Sequence, residues 1–369
     1  MAVTRRIYVA ATSQHVGKTT TTLGLVSALR KAGYDAGYCK PVGQKYVDHY
    51  GTKVDKDAHL FSSFLGFSLY PELHSPVVLA QGKVASYLDG AEGEDFQDLV
   101  LRADHTLQSQ HDVVVYEGTG HPGVGSAVDM SNADVAAMLG AGTVLVVEAG
   151  IGRTLDQLAL NLALFRERNV PILGVIVNKA KPSKLPKIRH YIQQELNRQG
   201  IPLLGIIPYE ETLARPQILA LHKSIESTCW LHPDQLHQTF GEIVSSHSLE
   251  QALPDPSKSG LLVVSDRRAA YSIKKLRHLI ADQGMDSCPL AGIVIAGQEP
   301  SLSRSDLHYL NKHQVPVLIS PLDTYEVVLR YGSLEVKMSA KNPWKMSRAV
   351  DLFQNNTQLS PLFSHKVAS

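Results

Sequence analysis

The stretch Ile7-Tyr8-Val9-Ala10-Ala11-Thr12-Ser13-Gln14-His15-Val16-Gly17-Lys18-Thr19-Thr20 decides how this chain folds. Its first five residues predict a short buried strand. The Gly-Lys-Thr opens a second stretch, Gly17 to Ala32, in which Leu23, Val26 and Leu29 return on one face of a helix. Strand, loop, Gly-Lys-Thr and helix in that order aim backbone N–H groups and the positive end of a helix at phosphate oxygens. Lys18 is expected to reach the outer phosphates of a nucleotide, and the Thr19 hydroxyl to bind Mg²⁺. The usual pattern places a glycine five positions before Gly17, but Thr12 stands there, after Ala11. The strict motif is broken at that point, while its setting between strand and helix is kept.

Outward from this loop, apolar runs alternate with helical patterns. Strands are expected at Val113 to Tyr116, Val144 to Val147, Leu173 to Val177 and Leu203 to Ile207, with a helix over Leu155 to Arg168. Short parallel strands bridged by helices predict an α/β fold built on a doubly wound, mostly parallel sheet. The rhythm weakens after Pro208, and residues 222–258 are rich in His, Ser and Pro. They read as a connecting helix and linker. A second, smaller α/β rhythm follows, with strands at Gly260 to Val264, Leu290 to Ala296 and Val315 to Ile319 and helices at 267–282, 303–313, 323–332 and 343–354. The expected organisation is a nucleotide-binding domain over 1–221, a connection over 222–258, a second domain over 259–356 and a tail over 357–369.

Composition narrows the partners. Thirty-six basic residues face 35 acidic ones, with no long run of either sign. Nucleic acid and membrane surfaces are therefore not expected partners. No apolar run is long enough to span a bilayer. Met1-Ala-Val-Thr-Arg-Arg leads into the first strand without a signal-peptide core, so a cytoplasmic location is expected. Cys39, Cys229 and Cys288 are too few and too scattered for a disulfide framework. His222, His232 and His237 lack close metal-ligand spacing and are expected at the surface. No Gly-x-Ser-x-Gly or Gly-x-Cys-x-Gly nucleophile elbow occurs. Asp266-Arg267-Arg268 reads as a helix cap with surface pairing.

A phosphate loop and five further landmarks in order carry a resemblance. Ala11-Thr12-Ser13-Gln14-His15-Val16-Gly17-Lys18-Thr19 fits a loop of the form Gly-Thr-x-x-x-Val-Gly-Lys-Thr, with Ala for the first Gly. Tyr38-Cys39-Lys40-Pro41-Val42 follows, then Asp57 within Asp55-Lys-Asp-Ala, Tyr116-Glu117-Gly118-Thr119-Gly120, Val175-Ile176-Val177-Asn178-Lys179, and Leu204-Gly205-Ile206-Ile207-Pro208-Tyr209. Together they make residues 1–215 resemble the dethiobiotin synthetase-like group of P-loop enzymes. That group includes the amidating synthetases of cobalamin biosynthesis and the N-terminal domain of long phosphate acetyltransferases. The resemblance implies ATP and Mg²⁺ as cofactors. Thr19, Asp57 and Glu117 would supply oxygen ligands to Mg²⁺, which takes few carboxylates and keeps waters. Lys18 and Lys40 would be catalytic, Lys40 holding a carboxylate or phosphate at a strand end where open α/β sheets bind ligands. Ala11, Thr12, His15, Val16, Gly17, Thr20, Gly118 and Gly120 would line the nucleotide, the glycines letting backbone approach closely. Asn178 could offer donor and acceptor to an adenine edge, with Pro208 alongside. The chain departs from the group at Thr119 and His121, where Glu-Gly-Ala-Gly-Gly is usual, and at Gln14-His15, so a different substrate is expected.

Residues 260–354 resemble the DRTGG domain of long phosphate acetyltransferases, through Gly260 to Arg267, Leu290 to Gly297 and Val315 to Tyr325, with Ala296-Gly297-Gln298 in place of Thr-Gly-Gly. The order matches such an enzyme without its acetyltransferase domain, so acetyl transfer is not expected. Two functions remain open. One is an ATP-dependent enzyme that activates a small carboxylate or hydrolyses ATP. The other is a nucleotide sensor that acts on itself or on a partner enzyme. A homodimer is the family-level expectation.

Overall fold

The strand and helix expected around Gly-Lys-Thr are β1 (Arg6–Ala11) and α1 (Lys18–Lys31). The computed structural model describes residues 5–91, 93, 95–252, 259–285, 287–334, 336, 338 and 342–363. The chain divides into two units: Met1–Glu210 together with Asn342–Ser369, and Glu211–Lys341.

In the first unit the chain continues through β2 (Ala36–Cys39), β3 (Val42–Gly43), a hairpin of β4 (Tyr46–His49) and β5 (Thr52–Asp55), and α2 (Lys56–Leu65). Then come α3 (Pro71–His74), β6 (Val77–Val78), α4 (Lys83–Leu88) and α5 (Phe96–Gln110). Next are β7 (Val113–Glu117), α6 (Asn132–Met138), β8 (Gly142–Glu148) and α7 (Gly152–Glu167). Last come β9 (Ile172–Ala180), α8 (Leu185–Arg198) and β10 (Leu203–Pro208). Six of these strands form a parallel sheet in the order β10-β9-β8-β1-β7-β2. Helices cover both faces of such a sheet, so its strands carry continuous apolar runs. Every residue of β7 is buried, as is all of β8 except Glu148. The chain leaves β1 toward β2, returns to β7, then crosses to β8 on the other side of β1. Ligands bind at the carboxyl ends of strands where the order reverses, and β1 ends there in the phosphate loop.

The second unit contains α9 (Glu211–Ala214), α10 (Ile218–Ser224), β11 (Thr228–Leu231), β12 (Ile243–Val244) and α11 (Leu249–Ala252). It continues with β13 (Gly260–Ser265), α12 (Asp266–Asp282), β14 (Leu290–Ala296), α13 (Arg304–Lys312), β15 (Val317–Ser320) and α14 (Thr324–Gly332). Its sheet runs β11-β15-β14-β13-β12, parallel except for β11. Asp266 does not cap α12 as its sequence suggests: it is the first residue of the helix, the N-cap Ser265 makes no side-chain cap bond, and the Asp266 carboxylate instead accepts from the N–H of Arg267 at 2.6 Å and of Gln298 at 3.2 Å.

Two expected boundaries differ. The described part of 222–258 is not a linker, since β11 and β12 flank the second sheet. Strands of four and two residues are too short to show a period in sequence. The helix expected at 343–354 does not belong to the second unit either. It is α15 (Pro343–Asn356), and it packs on α1. The two helices meet at Gly24, where an added Cβ would lie 2.3 Å from the Phe353 ring. Beyond α15, Thr357 bridges Gly205 on β10, and the Gln358 N–H donates to the Leu204 carbonyl at 2.7 Å.

Candidate functional site

Backbone and side chains shape the loop after β1 together. The Thr12 N–H donates to the Val146 carbonyl at 3.0 Å, continuing the ladder between β1 and β8. His15 (φ 61°) and Gly17 (φ 102°) then turn left-handed. Asn178, at the end of β9, donates through Nδ2 to the Val16 carbonyl at 2.8 Å. A Cβ on Gly17 would lie 2.0 Å from that Nδ2, so only glycine fits. Lys179 donates through Nζ to the His15 carbonyl at 2.5 Å, and the Thr20 hydroxyl to the Gly17 carbonyl at 2.7 Å. The first turn of α1 has no acidic residue and no side-chain cap, which leaves its positive end open to an anion. Ala11 is buried at the end of β1, and Pro208 ends β10 opposite Ala180.

Charged groups converge in front of this loop from five elements. Lys18 donates through Nζ to the Gly120 carbonyl at 2.6 Å. Glu117, at the end of β7, is completely buried. Its Oε1 accepts from the Thr19 hydroxyl at 2.8 Å and its Oε2 from the Tyr38 hydroxyl at 2.9 Å. Lys40 stands between two carboxylates, its Nζ 2.7 Å from Asp57 Oδ2 and 3.5 Å from Glu117 Oε1. It is 4% exposed, not a solvated lysine. Asp55 caps α2, accepting from the Asp57 N–H at 2.8 Å, and so aims Asp57 at Lys40.

Burial pushes the Glu117 carboxyl up to about 7, against the opposing pull of Lys40. It pushes Lys18 down to about 8, helped by the nearby Lys40 charge. For Lys40 burial opposes the charge, but Asp57 and Glu117 outweigh it and hold the ammonium above its ordinary range. Burying several charges together costs folding energy unless they pair, and such clusters concentrate at functional sites.

Asn132 fixes the Glu117-Gly118-Thr119-Gly120 segment. Its Oδ1 accepts from the Tyr8 hydroxyl at 2.9 Å and the Thr119 N–H at 2.8 Å. Its Nδ2 donates to the Thr119 and His121 carbonyls, both at 2.6 Å. A Cβ on Gly118 would lie 2.5 Å from Asn132 Oδ1, and Gly120 takes φ 62°. Neither Asn132 nor Tyr38 stands out in the sequence as a site residue. Tyr38 had one signal: it lies two residues before Lys40, and side chains two apart on a strand share a face. Asn132 sits at the start of a helix announced by the Ser131–Asp134 capping box.

Thr19, Asp57 and Glu117 form a donor set that fits Mg²⁺. All three offer hard oxygens, and two of them are carboxylates. Among the described residues no group of three or more His, Cys, Asp or Glu could hold a metal alone. Phosphate oxygens and waters would complete the shell, as is usual for Mg²⁺.

A parallel sheet whose first strand ends in this loop, with a lysine, a threonine and a buried carboxylate gathered over it, defines a P-loop NTPase domain. The chain belongs to the AAA_26 family of AAA domains, whose profile matches residues 5–217. It is similar to an ATP-dependent dethiobiotin synthetase of Anaeromyxobacter dehalogenans, with 29% identity over 57% of this chain and 93% of the relative. It is also similar to phosphate acetyltransferases. That of Nitrosomonas europaea is 26% identical over 79% of this chain and 41% of the relative. That of Deinococcus radiodurans is 23% identical over 97% of this chain and 51% of the relative. The chain thus spans about half the length, or less, of these acetyltransferases. Among solved structures, a cobyrinic acid a,c-diamide synthase from Mycobacterium smegmatis with bound ADP and magnesium covers 56% of this chain and 87% of its own, at 16% identity and a TM-score of 0.37. No helix among the described residues is long and apolar enough to cross a membrane.

Proposed function

We propose that this protein binds ATP with Mg²⁺ at the Gly17-Lys18-Thr19 loop and uses it enzymatically, hydrolysing ATP or activating a small carboxylate by phosphoryl transfer. One observation carries the reading: Lys18, Thr19, Lys40, Asp57 and Glu117 meet at one point. A chain that only needed a folded sheet would not gather five charged or hydroxyl groups here, Lys40 and Glu117 buried and Lys18, Thr19 and Asp57 half-buried.

Lys18 leaves the Gly120 carbonyl and takes the outer phosphates, where its charge stabilises the moving phosphoryl group. Thr19, Asp57 and Glu117 would hold Mg²⁺, which would neutralise charge on the phosphates when bound. Lys40 orients the acceptor group beside Asp57. Asn178 shapes the loop from below, and its remaining N–H and lone pair face the base together with Pro208. The second unit has a regulatory role, in line with the resemblance of residues 260–354 to a DRTGG domain, and the protein works in the cytoplasm as a homodimer.

A nucleotide-sensing reading is favoured by a different observation. The Lys40 ammonium is already committed to Asp57 and Glu117, which leaves it less able to hold an acceptor. Steady-state ATP hydrolysis by wild type and Lys18→Ala, with and without small carboxylates, separates the two. The enzyme reading expects a loss of turnover on the order of a hundredfold in the variant. ATP binding by calorimetry without turnover above the variant sinks the enzyme and leaves the sensor. No ATP binding by wild type removes both.

A further inference from the structure

Helix α14 of the second unit faces two ways. On one side Val327 is buried in a core with Ile218, Leu221 and Val263. Tyr331 donates its hydroxyl to the Gly241 carbonyl at 2.9 Å, and Asp323 fixes the helix start by accepting from the Glu326 N–H at 2.8 Å. On the other side Tyr325 is 71% exposed, Leu329 54% and Val328 43%. Residues three and four apart share one face of a helix, so these three form one apolar patch. Gly332 continues the patch beyond Leu329, and a Cβ added there would meet nothing within 4 Å.

Single exposed apolar residues are ordinary on a protein surface, whereas a contiguous patch marks a contact. This patch carries its own complement. Glu326 and Arg330 stand four residues apart on one flank of it. Their charged groups are 3.8 Å apart and about half exposed, so the pair contributes little within one chain. A two-fold axis beside Val328 and Leu329 lays two copies of α14 antiparallel. It brings Glu326 of each copy next to Arg330 of the other, on the same flank. It sets Val328 against Leu329 at the centre, and each Tyr325 over the gap at the other copy's Gly332. Apolar contact, charge and shape agree in that one register.

We propose that the exposed face of α14 is a self-association surface, which takes the same face of a second copy of this chain in antiparallel register. This gives the homodimer proposed above a surface, and it rests on that dimer alone, not on the ATP chemistry. Two helices of nine residues, each about 14 Å long, bury less than the roughly 1,200 Å² at which stable interfaces begin. The contact by itself is therefore weak, with a Kd on the order of 10–100 µM. Tyr325 and Leu329, the most exposed of the patch, are its anchors.

The test is sedimentation equilibrium of the full chain, without nucleotide, across the micromolar range. Wild type is compared with Leu329→Asp, Glu326→Arg, Arg330→Glu and the exchange Glu326→Arg/Arg330→Glu. Melting temperatures check that each variant is folded, and if Leu329→Asp melts early the charge series decides alone. Wild type is expected to pass from monomer to dimer as concentration rises. Leu329→Asp is expected to weaken the dimer about tenfold or more. Each single reversal weakens it about fivefold, because the two-fold axis changes two contacts at once. The exchange restores wild-type affinity within about twofold, since opposite charges again meet across the axis. A dimer unmoved by Leu329→Asp overturns this surface and leaves the homodimer to another face. Single reversals that the exchange does not rescue overturn the antiparallel register. A wild type that stays monomeric throughout overturns the surface and the homodimer together, while ATP hydrolysis, measured separately, decides the enzyme reading.

Discussion

Without the Asn132 carboxamide, the Tyr8 hydroxyl, the Thr119 N–H and carbonyl, and the His121 carbonyl each lose a partner, the first of them deep in the protein. Leaving buried polar groups unpaired costs about 1–3 kcal/mol each. Asn132→Ala is therefore expected to lower unfolding free energy in urea by roughly 2–4 kcal/mol. It also weakens nucleotide binding, because the Glu117-Gly118 backbone loses its anchor. Unchanged stability and affinity would remove Asn132 from the site. The contrast with Glu117 shows what the sequence makes legible. Lys18, Thr19, Lys40, Asp57 and Glu117 lie in short motifs at strand ends, where residue type and position indicate chemistry. Asn132 acts through two carbonyls, an N–H and a hydroxyl contributed by residues up to 124 positions away, and no spacing encodes that. The place of Asn178 near the end of β9 was legible in the sequence. Its hydrogen bond to the Val16 carbonyl was not.

Helix α6 starts at a reciprocal cap: Ser131 accepts from the Asp134 N–H, and Asp134 accepts from the Ser131 N–H and from Arg168 at 2.6 Å. Burial pushes the Asp134 carboxyl up, but the bonds from Ser131 and Arg168 outweigh it and hold it below its ordinary value of 3.8. A depressed folded-state value adds stability above the unfolded-chain value and loses it as pH falls through the folded one. Asp134→Asn is expected to cost about 1 kcal/mol at neutral pH, with the gap closing below about pH 4. Denaturant melts at the two pH values measure it, and a gap that does not change with pH contradicts the assignment. The contact of α1 with α15 is tested by Gly24→Ala. The new methyl meets the base of the Phe353 side chain, which cannot swing aside, so a loss of about 1–3 kcal/mol is expected. At this scale most of the fold was readable. β1, β7, β8, β9, β10, β13 and β14 fall within a few residues of the apolar runs that predict them, because strands buried on both faces need such runs. β11 and β12 escaped because four and two residues show no pattern. α15 was readable as a helix, but its place was not, since its amphipathic face does not say which unit it covers.

Along the chain one unit interrupts the other: residues Glu211–Lys341 fall between the two sequence segments of the P-loop unit. A variant lacking 342–369 is therefore expected to damage the N-terminal unit although it deletes only the C-terminus. Met346, Ala349, Leu352 and Phe353 are all buried. Losing the burial of the three large ones, Met346, Leu352 and Phe353, costs about 1.5–3 kcal/mol each, a sum comparable with the whole stability of a typical domain. The truncated chain should bind a hydrophobic dye, melt early and lose nucleotide affinity. A truncated chain with full affinity would contradict this packing. The same insertion sets the order of events during synthesis. Gly24 leaves the ribosome more than three hundred residues ahead of the Phe353 ring that closes over it. Until α15 has been made, the phosphate loop is carried by a helix whose back is uncovered. A chain stopped before α15 is left with the face of α1 around Gly24 uncovered.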